Sequence, residues 1–97
     1  MNDTIRTTTL PVLCTVYRSS REAELYVYVR RDEGLERVPP DLIKKLGTTS
    51  EVLTMKLTPD RKLARVRATD VLAALVDQGY YLQLPPDFNR ALFSLGG

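Results

Sequence analysis

The chain carries few residues that perform catalysis at neutral pH. It has one cysteine, Cys14, and no histidine. Histidine is the commonest general base and a usual zinc ligand, so Ser-His-Asp and Cys-His catalysis are excluded. Cys14 lies in an apolar, β-branched stretch, which predicts a buried and inert thiol. A lone cysteine also excludes an internal disulfide.

The acidic residues do not form a recognised catalytic pattern either. Asp32-Glu33 and the pair Glu22 and Glu24 lie beside predicted turns, where carboxylates are usually solvated, so glycosidase-type acid–base chemistry is unsupported. The glycines are isolated and make no phosphate-binding loop. We therefore expect no enzyme, no cofactor and no metal site, and keep an enzyme of unrecognised type as a third alternative.

Tyrosine side chains are the stronger candidates for function. Large rings with polar tips are enriched where a surface must be apolar and still form hydrogen bonds, as binding sites do. Strand parity predicts that most of these candidates share one face of a sheet, next to an arginine. The candidate binding residues are Tyr17, Arg18, Tyr26, Tyr28, Tyr81 and Gln83.

Three interpretations of this tyrosine face stay open. A second helical layer around Leu42 or Phe88 can cover it, and the rings then serve as packing. An open face can instead bind a protein partner. It can also stack the bases of single-stranded RNA, although the glycine-aromatic pattern of RNA-recognition motifs is missing.

A basic run follows the third predicted strand. It consists of Arg61, Lys62, Arg65 and Arg67. Such a run is either a solvated connection or a phosphate contact. The net charge of +2 is too small to indicate nucleic-acid binding by itself.

The length and composition indicate one globular domain. Ninety-seven residues with 43% hydrophobic and 27% charged side chains are typical of such a domain. We expect a flexible N-terminal arm over 1–11 and a single domain over 12–97. No apolar run is long enough for a membrane span, and the N-terminus lacks a signal sequence, so we expect a cytoplasmic protein that is a monomer or weak dimer.

Hydrophobic periodicity and turn residues predict the elements that position these side chains. Gly79 is expected to end the main helix in a left-handed conformation, and the following prolines to stop the last strand. In order, we predict strands at Val12–Arg18 and 23–30 joined by the short connection 19–22, a short helix from Pro39 to Gly47, a strand at 51–57, the main helix from Arg67 or Thr69, a strand at 80–84, and a C-terminal helix from Phe88.

Alternation along these strands predicts one apolar face and one mixed face. The apolar face is the expected core beneath the main helix and collects Val16, Leu25, Val27, Val29, Leu53, Met55, Leu57, Tyr80, Leu82 and Leu84. Thr15, Thr54 and Lys56 join the tyrosines on the mixed face. The predicted fold class is α/β, a small sandwich with a sheet of about four strands, an N-terminal hairpin and helices packed on the sheet.

Three motifs in this order resemble the YcgL family of small bacterial proteins of unknown function. They are Cys14-Thr15-Val16-Tyr17-Arg18-Ser19, Leu25-Tyr26-Val27-Tyr28-Val29 and Gln78-Gly79-Tyr80-Tyr81-Leu82-Gln83-Leu84-Pro85-Pro86, supported by Val38-Pro39 and Leu42. The resemblance implies a compact α/β sandwich of bacterial cytoplasmic origin with no established activity or cofactor. It also implies a gene that often lies near one for ribonuclease D.

Two features depart from this family. The arm before the first strand is additional, and Arg67 stands where the family commonly has an aspartate opening the main helix. We expect a non-enzymatic interaction module for a protein partner. The alternative is a weak single-stranded RNA-binding or RNA-metabolism-associated protein that uses the tyrosine face and the basic run.

Overall fold

The structure, a computed structural model, describes residues 11–86. The elements are β1 (Val12–Arg18), β2 (Tyr26–Arg30), α1 (Pro40–Leu46), β3 (Ser50–Leu57), α2 (Ala68–Asp77) and β4 (Tyr80–Gln83). The strands form one antiparallel sheet in the order β3-β1-β2-β4. The predicted class, strand number and N-terminal hairpin are confirmed. The predicted C-terminal helix from Phe88, and the arm except Pro11, lie outside the described residues.

The two helices pack on opposite faces of the sheet, which gives three layers and two apolar clusters. The cluster beneath α2 contains Cys14, Val16, Tyr28, Met55, Leu57, Ala68, Val71 and Leu75. The cluster beneath α1 contains Leu25, Val27, Val29, Val38 and Leu46. Both faces of the sheet therefore bury apolar side chains, and the predicted division into one apolar and one mixed face is wrong. The alternative in which a helical layer around Leu42 covers the second face is confirmed, because Leu42 of α1 packs against the second cluster.

Local chemistry explains where the helices begin and end. Proline is tolerated in the first turn of α1, and Asp41 near that end and two lysines near the other complement the helix dipole. The α2 helix starts at Ala68 without a side-chain cap from Arg67. It ends where the N–H groups of Gln78 and Gly79 both donate to the carbonyl of Ala74, at 2.8 and 3.0 Å.

The β1–β2 connection is longer than predicted, and this changes the pairing of the hairpin. A connection of four residues, 19–22, would pair Arg18 with Ala23. The structure pairs Arg18 with Tyr26, three residues further along, and the connection covers 19–25. Because side chains alternate with a period of two, an odd shift of register exchanges the faces.

The face prediction is therefore correct within each half of the sheet and wrong across the hairpin. Val16 lies opposite Tyr28 in β2 and Leu53 in β3, whereas Tyr17 lies opposite Val27. Residues predicted to share a face do so within β1 and β3, and also within β2 and β4. Each predicted face, however, joins two such halves that lie on opposite faces of the sheet. The strand boundaries themselves differ by a few residues at most, the largest change being the later start of β2.

Replacing Leu75 tests the core beneath α2. Leu75 is 2% exposed and packs on the sheet, so Leu75→Ala should lower the free energy of unfolding by roughly 2 to 5 kcal/mol. Val76, the next residue, is 81% exposed, and Val76→Ala should change stability by less than about 0.5 kcal/mol. Urea melts of both variants measure these values. A loss below about 1 kcal/mol for Leu75→Ala would contradict the packing of this helix face.

Replacing Gly79 tests the end of α2. Gly79 has a φ of +92°, and a Cβ there would lie 2.7 Å from the Cβ of Arg37. Gly79→Ala combines backbone strain with this steric conflict, so it should lower the free energy of unfolding by more than about 1 kcal/mol. Gly34 also has a positive φ, +58°, but a Cβ there meets nothing within 4 Å. Gly34→Ala is therefore the matched control, and equal losses in thermal melts would show that the conflict with Arg37 has no effect.

Candidate functional site

The structure separates the six candidate binding residues. Tyr26, Tyr28, Tyr81 and Gln83 lie on the α2 face of the sheet, and Tyr26 and Tyr81 are only partly buried. Tyr17 packs against the cluster beneath α1, on the opposite face. Its predicted membership of the tyrosine face is wrong, because that prediction depended on the short hairpin connection.

Hydrogen bonding and ring packing hold the tyrosines of the α2 face in place. The Tyr28 hydroxyl donates to Oε1 of Gln83 at 2.7 Å. The Tyr28 and Tyr81 rings meet edge to face, with centroids 5.9 Å apart and an interplanar angle of 81°. Burial raises the pKa of Tyr28, which is 7% exposed, while the charge of Arg65 opposes that rise. Tyr28 is thus a packing residue, whereas Tyr26 and Tyr81 keep accessible surface.

The connection from β3 to α2, residues 58–67, carries the basic run across the same face. Between this connection and the sheet lies a groove of about 390 Å³, which we call the basic groove. Its lining consists of Val16, Tyr26, Tyr28, Val52, Leu53, Met55, Arg61, Lys62, Leu63, Ala64, Arg65 and Gln83. Part of the tyrosine set, Tyr26, Tyr28 and Gln83, therefore meets part of the basic run in one place.

The charges around the basic groove are mainly positive. Among the described residues that line it, three are cationic and none is acidic. Arg65 pairs with Glu24 of the hairpin connection at 3.5 Å. Arg61 donates through Nη1 to the carbonyl of Lys56 at 3.3 Å, which holds its guanidinium near the end of β3. The described lining therefore carries a net positive charge, part of which Glu24 offsets.

Two candidate cations do not line the basic groove. Arg67 precedes α2 and lines an adjoining recess at the start of that helix, which shares Arg61, Lys62 and Leu63 with the basic groove. Arg18 is exposed at the end of β1, where it lies opposite Tyr26 in register. Arg61, Lys62 and Arg65 are thus the part of the predicted basic run that reaches the groove.

Sequence reasoning missed the apolar rim of the groove. Val52 and Leu53 are 47% and 44% exposed, and both line the groove. Strict alternation assigns them to opposite faces. In the structure Val16 pairs with Leu53 and Tyr17 with Glu51, so Val52 is an extra residue in a β-bulge. No signal in the sequence marks this bulge.

Cys14 sits beneath α2 and is fully buried. Burial raises the pKa of its thiol from the usual 9.0 to about 11, opposed in part by a backbone hydrogen bond with Val29. Within residues 11–86, no group of three His, Cys, Asp or Glu side chains has the arrangement needed to hold a metal ion. In the same range, no helix combines the length and apolar character that a membrane crossing requires.

The thiol gives a prediction about pH. The thiol loses its proton at lower pH in the unfolded chain than in the native protein. Below about pH 9 both states keep the proton, and as the pH rises towards about 11 the free energy of unfolding should fall. The loss should reach roughly 2 kcal/mol. Urea melts across this range measure it, and Cys14→Ala should show a shallower decline. Equal declines in the two proteins, or rapid reaction of the native thiol with a thiol reagent at pH 8, would contradict this assignment.

The architecture is that of a small α/β sandwich with an open, positively charged groove on one sheet face. The family model of the YcgL domain matches residues 14–86, and the chain belongs to that family. A YcgL domain-containing protein of Pseudomonas putida KT2440 is 49% identical over 74 residues, which is 76% of each chain. Relatives of the same description from Chromohalobacter salexigens and Cellvibrio japonicus are 45% and 42% identical, over 86% and 79% of each chain.

Proposed function

We propose that this YcgL domain protein is a non-enzymatic interaction module that holds a protein partner in the basic groove. The supporting observation is the composition of the groove, in which exposed aliphatic side chains and a partly exposed tyrosine lie beside three cations. Protein-binding surfaces combine an apolar centre with polar side chains at the rim in this way. The buried, high-pKa thiol of Cys14 also supports binding over nucleophilic catalysis.

The tyrosine geometry favours a protein over RNA. Base stacking needs accessible ring faces. Tyr28 is 7% exposed, its hydroxyl donates to Gln83, and its ring packs against that of Tyr81. The accessible apolar surface at the rim belongs instead to Val52 and Leu53, which are aliphatic and suit protein side chains.

Single-stranded RNA is the second candidate, because of the cations. Arg61, Lys62 and Arg65 lie along one connection and together can contact neighbouring phosphates. The partly exposed Tyr26 supplies one ring beside them. Such binding would weaken steeply as salt rises, whereas binding centred on the aliphatic rim would not.

Site-specific photo-crosslinking in bacterial cells tests the proposal. A photoreactive phenylalanine analogue placed at position 53 should give protein adducts that survive nuclease treatment. The same analogue at position 13 is the matched control, because Leu13 is 43% exposed against 44% for Leu53 and lies on the other face of the sheet. Thermal melts confirm that both substituted proteins fold.

The crosslinked species distinguish the candidates. Discrete protein adducts at position 53 that are absent at position 13 support a protein-binding groove. Adducts that nuclease removes would instead support RNA. Equal adduct patterns at the two positions would contradict a binding role for the basic groove.

A further inference from the structure

We infer that the basic groove selects an acidic segment of its protein partner, with an aliphatic side chain of that segment seated on Val52 and Leu53. This inference rests on the proposed function and adds the chemistry of the partner. Its basis is the juxtaposition of three cations on the 58–67 connection with an exposed aliphatic pair on β3.

The charge of the groove determines which segments can enter it. Arg61, Lys62 and Arg65 contribute positive charge, and no described residue of the lining opposes it. A basic segment would be repelled, and like-charge juxtaposition is an effective way to exclude wrong partners. Glu24, at 3.5 Å from Arg65, already offsets part of the charge of that arginine, so Arg61 and Lys62 supply most of the attraction. A carboxylate in the groove would therefore gain charge-assisted hydrogen bonds with arginine.

The bulge in β3 supplies the second part of the recognition. Since Val52 has no partner in β1, it turns with Leu53 towards the groove, and two adjacent aliphatic side chains stand at one rim. Both keep nearly half of their surface exposed. An aliphatic side chain of the partner would remove this surface from water, which is the main favourable contribution of an apolar contact.

The dimensions of the groove fit a short segment. Its volume of about 390 Å³ lies in the range of small-ligand sites, which are about 300 to 1,000 Å³, and so accommodates a few side chains. The aliphatic rim disfavours nucleotides, which bind best on flat aromatic surfaces. An acidic segment with one large aliphatic residue satisfies both the charge and the rim.

Fluorescence anisotropy with defined peptides tests this inference on the full chain. The probe is a fluorescein-labelled decapeptide with a central Leu-Ile pair flanked by Asp and Glu. In the comparison peptides, Asn and Gln, or Lys and Arg, replace the acidic residues. A labelled oligouridylate of the same net charge as the acidic peptide separates peptide recognition from general attraction of anions. The acidic peptide should bind about tenfold more tightly than the neutral one and more tightly than the oligouridylate.

Matched variants locate the binding. Arg61→Glu combined with Lys62→Glu should weaken binding of the acidic peptide about tenfold or more. Lys44→Glu combined with Lys45→Glu makes the same change of charge on α1, across the sheet, and should have a much smaller effect. Leu53→Ser should weaken binding several-fold, whereas Leu13→Ser, at equal exposure on the other face, should not.

Each contrary result overturns the inference. Equal binding of the acidic and neutral peptides, equal or tighter binding of the oligouridylate, or no measurable peptide binding would each do so. If the charge reversals in the groove and on α1 weaken peptide binding equally, the effect depends only on net charge, and the inference is again overturned. If protein adducts at position 53 persist while the acidic preference is absent, this inference fails and the proposed function stands. If those adducts are absent as well, both fail.

Discussion

The pairing of Arg18 with Tyr26 determines the rest of this structure, and the side chain of Ser19 holds it in place. The Ser19 hydroxyl accepts the N–H groups of Arg21 and Glu22 at 3.0 and 3.1 Å. It donates to the carbonyl of Leu46 at 2.7 Å, which ties the hairpin connection to the end of α1. Ser19 is 6% exposed, so an unpaired hydroxyl there would be costly. This network fixes a long connection, and the long connection decides which side chains each helix covers.

The local features of the fold were predictable from the sequence because they depend on neighbouring residues. Gly79 ends α2 with a positive φ, and Gly47 follows α1, as their positions indicated. Alternation within each strand was also correct, except at the bulge around Val52 in β3. The register across the hairpin was not predictable, because it depends on a hydrogen bond between Ser19 and Leu46, which are 27 positions apart. Turn composition alone favoured the shorter connection.

The candidate site was predictable in its residue types and not in its assembly. Tyrosines and basic residues were recognised as two separate sets because the path of the 58–67 connection over the sheet leaves no periodic signal. The structure places Tyr26 and Arg65 in one groove and moves Tyr17 to the opposite face. The aliphatic rim was missed for a different reason. A β-bulge breaks the alternation on which the assignment of Val52 depended.

The strand order β3-β1-β2-β4 places the β1–β2 hairpin, whose strands are consecutive in sequence, at the centre of the sheet. Within residues 11–86, both neighbours of this hairpin are edge strands, and β3 is exposed along its first half, where it forms the rim of the basic groove. Edge segments with few buried contacts open at a lower free energy than central ones. We therefore expect amide hydrogens at the β1–β2 interface to exchange with solvent most slowly, and those of Glu51 to Leu53 to exchange sooner through local opening. The groove rim is thus built on a part of the sheet that can adjust its backbone while the central hairpin stays intact.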